Sequence, residues 1–383
     1  MRISNTLLFL FFSLAFCPQG RAQSNVNDSL LHNGLQRKYT VHLPPAYNPA
    51  ARVPLVVFLH GGGGSAASAQ GFTQFNLISN QEKFLVAYPQ AFAALPTGGF
   101  AWADGRGTAA DLMGIDDAGF INDLLDKLTQ DYGIDTSRIY LCGFSNGGFM
   151  TQRIACERNE KIAALGLLGS TMDVFVADTC QPGRSIPALI ITGTADPFVP
   201  YGGGAMQGNV PNIISSADFF YFWVDNNHCS IPLDSLNFPD TDTSDHSTVT
   251  RFAYTGCDCD AQVWHFRVNN GGHTWPGVEL PNLELIAGET NEDIQAAFQL
   301  WLFFRQFSLC TETVAAEEKK NTASKAMLVL FPQPANSLVF VKSNEQLTSL
   351  ALTSSAGNLI REIQVLRTEW NLNISDLPPG VYV

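Results

Sequence analysis

The segment from Arg138 to Glu157 limits the choice of fold more than any other. An apolar run, Ile139 to Cys142, enters Gly143-Phe144-Ser145-Asn146-Gly147, and a helical stretch, Gly148 to Glu157, follows. A buried strand that turns abruptly into a helix needs small residues on both sides of the turn, because the residue at its apex takes a strained backbone conformation. Here the apex is a serine. It stands at a helix N-terminus, where the peptide dipoles favour developing negative charge. The pattern G-x-S-x-G is common by chance, and the strand before it and the helix after it give it meaning.

The rest of the first 310 residues fits that segment. Val53 to Leu59 and Phe84 to Tyr88 are continuous apolar runs of the kind found in buried parallel strands, as are Ala188 to Thr192 and Gln262 to Val268. Lys38 to Leu43 alternates like an edge strand and is ended by Pro44 and Pro45. Asp116 to Tyr132 carries Phe120, Ile121, Leu124, Leu125 and Leu128 at helical spacing, with two carboxylates near its start, and Asn291 to Phe307 reads as a closing amphipathic helix. Strands alternating with helices predict an α/β fold: a mostly parallel sheet covered on both faces, of the α/β-hydrolase type.

A serine hydroxyl is a weak nucleophile and needs a base, which needs an orienting acid. In this fold the order along the chain is serine, acid, histidine. Asp196 follows the run at Ala188 to Thr192, and His273 lies in the loop Asn269 to Pro276 after the run at Gln262 to Val268. We therefore expect Ser145 as nucleophile, Asp196 as acid and His273 as base, with Asp173 as the reserve acid. His60 and the glycines 61–64 follow a buried strand. Such a loop lets the backbone approach a substrate closely, and Gly62 (or its neighbour Gly63) and Asn146 are the expected oxyanion donors. Because the donor is a backbone N–H, Asn146→Ala is expected to be mild. His60 is expected to hold the loop. Trp102, Tyr201 and Trp275 stand near these loops and are candidates to stack on the substrate.

The ends and the cysteines place the chain in the cell. Arg2, the apolar run Leu7 to Phe16 and the small residue Ala22 read as a signal peptide over residues 1–22; the run is too short to span a bilayer. After export, seven cysteines remain and are disulfide candidates first. The expected pairs are Cys156 with Cys180, and Cys229 with Cys257 or Cys259, with Cys142 buried as a free thiol. The Cys257-x-Cys259 spacing fits zinc poorly, and Asp240, Asp242 and Asp245 lack the glycine and distal glutamate of a calcium loop, so a solvated acidic loop is expected there. No cofactor is expected. Formal charge is −13 with no basic patch, which argues against nucleic acid or an anionic membrane as partner.

Four segments, LHGGGGS (59–65), IYLCGFSNGGFM (139–150), TGTADPFVPYGGG (192–204) and GGHTWPG (271–277), together resemble the secreted esterase family that includes polyhydroxybutyrate depolymerases and family 1 carbohydrate esterases. The resemblance covers roughly residues 35 to 307. It implies a serine carboxylic-ester hydrolase acting through an acyl-enzyme, on polysaccharide-linked esters such as feruloyl or acetyl groups or on polyester oligomers; a monomer is expected. Polymer depolymerases of this type often carry a cysteine where Gly62 stands, which points away from polyester. A serine peptidase on the same fold and a non-catalytic cell-surface binding protein are the competing readings.

Thr311 to Lys325 is polar, charged and without periodicity, and reads as a linker. The organisation expected is a catalytic domain over 24–310, the linker 311–325, and a small β-sandwich over 326–383 with short strands at 327–331, 337–342, 347–353 and 358–365. Phe331-Pro332-Gln333-Pro334-Ala335 and Leu377-Pro378-Pro379-Gly380-Val381-Tyr382 resemble the C-terminal sorting domain of type IX secretion substrates. The sequence stops at Val383, before the last strand usual in such domains, so this one reads as incomplete. The resemblance implies passage to the cell surface or beyond and contact with the secretion machinery.

Overall fold

The computed structural model describes residues 24–206, 212–310, 328–331, 338–353 and 359–373. The expected signal peptide and linker lie outside the described residues. The chain divides into two units, residues 1–312 and 313–383.

The first unit opens with the strands β1 (Ser24–His32) and β2 (Leu35–Leu43), then β3 (Val53–Leu59), helices α1 (Ala66–Phe72) and α2 (Phe75–Glu82), and β4 (Leu85–Pro89). The short pair β5 (Ala93–Ala94) and β6 (Phe100–Ala101) precedes α3 (Asp117–Asp131), β7 (Ile134–Phe144), α4 (Asn146–Glu157) and β8 (Ala164–Leu168). Then come α5 (Val174–Thr179), β9 (Ala188–Gly193), α6 (Ser216–Asn226), β10 (Ile231–Asn237), β11 (Thr248–Thr255), β12 (Val263–Asn269), α7 (Pro281–Ala287) and α8 (Ala296–Phe304).

Ten strands form one sheet in the order β1-β2-β4-β3-β7-β8-β9-β12-β11-β10. The central run from β4 to β12 is parallel, and an antiparallel pair flanks it on each side. β2 is therefore not an edge. Asn33 and Gly34, with φ of 47° and 77°, make the tight turn that lays β1 outside it.

Strand residues alternate between two cores. Leu55, Val57 and Leu59 face one with residues of α3, α4 and α6, while Val56 and Phe58 face the other with residues of α1, α2 and α8. On the second face Gly166 is obligatory, since a Cβ there would stand 2.5 Å from Leu300 Cδ2 and 2.7 Å from Cys142 Cβ. The final helix starts later than its periodicity suggests. Asn291 donates to Ser247 Oγ at 2.9 Å and Asp293 accepts from the Thr241 amide at 2.6 Å, so this stretch ties loops together before α8 begins.

Disulfides join Cys156 to Cys180, Cys229 to Cys257 and Cys259 to Cys310, and Cys142 is a buried free thiol. The third bond was not anticipated. The acidic loop is less solvated than expected. Asp245 is buried and accepts from the amides of Ser247 and Glu292 at 2.7 Å each, while Asp242 takes the Ser244 amide at 3.0 Å.

In the second unit β13 (Leu328–Phe331), β14 (Leu338–Thr353) and β15 (Leu359–Asn373) form an antiparallel three-stranded sheet. The two short strands expected at 337–342 and 347–353 are a single strand interrupted by a register shift between Lys342 and Leu347. The described residues of this unit form this one sheet, and the rest of the expected β-sandwich lies outside the described residues.

Candidate active site

The loops after β3, β7, β8, β9 and β12 gather at the carboxyl edge of the parallel run, where α/β sheets carry their ligand sites. Ser145 sits between β7 and α4 at φ 55° and ψ −122°, half-buried, with its amide donating to Leu168 O at 2.9 Å. The glycines around it are steric necessities. A Cβ on Gly147 would stand 2.1 Å from Leu59 O, and one on Gly143 would stand 2.2 Å from Gly147 O.

Asp196 and His273 meet across the loops after β9 and β12. His273 Nδ1 lies 2.6 Å from Asp196 Oδ2, with both side chains buried. The other carboxylate oxygen accepts from the amides of Phe198 and Val199 at 2.8 Å each, which fixes the carboxylate from behind. A carboxylate can only accept, so Nδ1 carries the proton and Nε2 is left as an acceptor. The two loops are stitched by Ala195 N to Gly271 O at 2.9 Å. The His273 ring lies 4.9 Å from that of Phe144, the residue before Ser145. Asp173, the reserve acid, is used elsewhere: it caps α5 by accepting from the amides of Phe175 and Val176.

The loop His60 to Gly64 runs against the same turn. A Cβ on Gly61 would stand 3.5 Å from Ser145 Cβ, and one on Gly62 would stand 3.5 Å from Asn146 Cβ. The Gly63 amide is engaged with Phe100 O at 3.0 Å, which leaves Gly62 as the better-placed donor of the two. Asn146 is the first residue of α4, whose first-turn amides have no intrahelical acceptor. His60 holds the loop. Its Nε2 accepts from the Ala91 amide at 3.2 Å, so Nδ1 donates to Gly61 O at 2.8 Å; burial pushes the ring's pKa down to about 4 and keeps it neutral.

The Asn146 side chain is not idle. Its Oδ1 accepts from the Trp102 amide at 2.7 Å, and its Nδ2 donates to Trp102 O at 3.1 Å and to Asp104 Oδ2 at 2.6 Å. The expectation that Asn146→Ala is mild is therefore revised. Asp104 was missed by sequence reasoning, since Trp102-Ala103-Asp104 forms no motif; only the flanking glycines 98, 99 and 105 hint at a structured loop. Burial pushes the Asp104 carboxyl up, while Arg106 and Asn146 pull it the other way.

The aromatic candidates need correction. Trp102 is fully buried and donates its indole N–H to His60 O at 2.9 Å. Trp275 is buried among Phe58, Phe72, Phe75 and Phe144. Neither offers a face to a ligand. Tyr201 is half-buried, with its ring stacked on His265 at 6.0 Å. A groove of about 390 Å³ instead runs along α4 from Phe149, one turn beyond Ser145, to the Cys156–Cys180 disulfide, with Asp104, Arg106 and Phe175 on its walls.

The chain is similar to several known proteins. Residues 37–196 match the family described as esterase PHB depolymerase, and residues 329–383 match the secretion system C-terminal sorting domain. The chain is 26% identical over 259 residues to the bifunctional acetylxylan esterase/xylanase XynS20E of Neocallimastix patriciarum, covering 67% of this chain and 34% of that protein. It is 27% identical over 242 residues to feruloyl esterase B of Piromyces equi, covering 62% and 42%. The chain thus spans about a third of the first relative and less than half of the second. Among solved structures, an acetyl xylan esterase from Aspergillus awamori aligns at a TM-score of 0.45 and 15% identity, over 66% of this chain and 94% of that one. Over residues 37–196 the chain is similar to the esterase PHB depolymerase family, and over residues 329–383 to the secretion system C-terminal sorting domains.

Proposed function

We propose that the chain is an exported serine carboxylic-ester hydrolase working through an acyl-enzyme. The observation that carries this reading is the buried 2.6 Å contact of His273 with Asp196, with the imidazole 4.9 Å from the ring of Phe144, whose neighbour Ser145 is held at positive φ between strand and helix. His273 Nε2 accepts the Ser145 proton as Oγ attacks the ester carbonyl. The amides of Gly62 and Asn146 stabilise the oxyanion, and the imidazolium then protonates the leaving alcohol. Water repeats the sequence on the acyl-enzyme and restores Ser145. Asp196 keeps the imidazole in the required tautomer throughout.

In this reading residues 24–310 form the catalytic domain, and the segment after the linker at 311–325 directs export to the cell surface or the medium through the secretion machinery. The matched sorting domain supports that location. The names of the relatives favour acetyl or feruloyl esters on polysaccharide over polyester. The test is hydrolysis of p-nitrophenyl acetate, methyl ferulate, acetylated xylan and hydroxybutyrate oligomers by wild type and Ser145→Ala. Replacing the serine is expected to lower kcat by about 10⁴ to 10⁶-fold with the fold intact. A much smaller loss would sink the assignment, and no turnover by wild type would favour a peptidase or a binding protein.

A further inference from the structure

The two proposed oxyanion donors lie on separate segments, and one short stretch of chain is hydrogen-bonded to both. Phe100 exchanges backbone bonds with the glycine loop: its carbonyl accepts from Gly63 N and its amide donates to Gly64 O, each at 3.0 Å. Trp102 reaches the same loop through its indole N–H, which donates to His60 O at 2.9 Å. On the other side Trp102 N and O and Asp104 Oδ2 bind the Asn146 side chain, using both of its N–H donors and its carbonyl. The stretch is itself braced. Ala103 N donates to Asp117 Oδ2 at 2.8 Å, Asp117 is paired in the interior with Arg37, and Arg153 donates to Ala103 O at 2.6 Å. Asp104 is clamped by Arg106 through Nε at 3.0 Å and Nη2 at 2.6 Å.

We infer that Phe100–Asp104 acts as a splint that sets the spacing of the oxyanion hole, with Asp104 and Trp102 as positioning residues acting through Asn146 and His60. The inference rests on the hydrolytic reading above. Neither side chain touches the reacting atoms. Each fixes one of the two segments whose amides must converge on a single oxygen, and an oxyanion hole loses effect steeply when its donors drift: a displacement of about 1 Å can cost on the order of 100-fold. Losing one tether of several should cost less, on the order of tenfold.

The test uses the full chain, p-nitrophenyl acetate as substrate and an alkyl trifluoromethyl ketone as probe, because the serine adduct of the ketone carries the oxyanion. Asp104→Asn keeps the shape and removes the charge that accepts from Asn146. Trp102→Phe keeps the ring and removes the bond to His60 O. Both are expected to lower kcat about tenfold with KM within about twofold, and to weaken the ketone by the same factor as kcat. Unchanged kcat, or a fall in kcat without weaker ketone binding, overturns the inference. If Asp104→Asn does not fold, Trp102→Phe decides alone. If wild type shows no Ser145-dependent turnover, the hydrolytic reading falls and this inference with it; if wild type turns over and the variants match it, only the splint falls.

Discussion

Ser145 holds φ 55° and ψ −122°, a region that residues with a Cβ enter at a cost of about 1–3 kcal/mol. The cost follows from geometry, since the chain must leave β7 and enter α4 within one residue. It predicts a difference in stability between two variants that both lack the proposed nucleophile. Ser145→Ala keeps the strain. Ser145→Gly releases it, offset by the larger entropy that glycine loses on folding, about 0.5–1 kcal/mol. The glycine variant should be about 1 kcal/mol more stable in urea unfolding, and a less stable one would show that the turn is relaxed. Glu292 makes a second local case. It is half-buried with Oε1 lacking a partner, and burial, followed by Glu279, Asp245, Asp242 and Glu284, raises its pKa to about 7. An acid whose folded pKa lies above its unfolded value contributes stability below the unfolded value that is lost as pH rises through about 7. Glu292→Gln should therefore melt higher than wild type above pH 7, with the gap closing below about pH 4.5; a gap that widens in acid would reverse the sign of this account.

Among the elements, α5 shows what a covalent tie does where packing is thin. The helix has six residues, and none of its side chains is buried; Phe175 is 73% exposed. Val176 and Ala177 pack only partly against the core and Val174 N donates to Asn212 O at 3.0 Å, while the Asp173 cap secures one end and the Cys156–Cys180 bond to α4 the other, closing a separation of 24 residues. A loop of that size corresponds to about 3 kcal/mol of restrained unfolded-chain entropy. Cys156→Ala with Cys180→Ala should lose about that much in denaturant, with proteolysis appearing first near Val174–Thr179; protection equal to wild type would mean the cap alone suffices.

How legible an element was in the sequence followed from how local its cause is. The buried strands β3, β7, β9 and β12 announce themselves as apolar runs, because both faces of a central parallel strand meet a core. The hairpin strand β1 is mostly exposed and apolar-poor, so it carries no buried-strand pattern, although Asn33-Gly34 is a strong turn signal. The loops that hold Ser145, Asp196 and His273 were readable because the proposed chemistry would demand particular residues at particular places along the sheet. The burial of Trp102 and Trp275 and the bond of Asp104 to Asn146 depend on contacts across 40 or more positions. An aromatic near a motif looks the same in sequence whether it faces the ligand or props up the loop.

At the scale of the whole molecule, charge and burial act in opposite directions on acidification. A formal charge of −13 means that added protons first relieve self-repulsion. Buried histidines work against that relief. His265 is enclosed between β9 and α6, with Nε2 2.8 Å from Thr192 Oγ1 and its ring near those of Tyr201 and Phe220; burial, followed by the Arg267 charge, lowers its pKa to about 3. His60 is lowered to about 4 by burial. A base whose folded pKa is depressed stays neutral in the native state while the unfolded chain takes up its proton below about 6.5, so each histidine makes stability fall with pH from there down to its own folded value. The raised carboxyls of Asp104, Asp117 and Glu292 bend the curve the other way. The clean observable is therefore a difference in slope. His265→Gln should be less stable than wild type near neutrality, because it abandons the ring contacts. Its stability should also fall less steeply between pH 6 and 4, by about 1.4 kcal/mol per pH unit, the equivalent of one proton. Urea titrations of both proteins at closely spaced pH values measure this directly. Parallel slopes would mean that the native protein admits a proton to the interior at His265, and that the acid limit of this fold is set instead by its carboxylates.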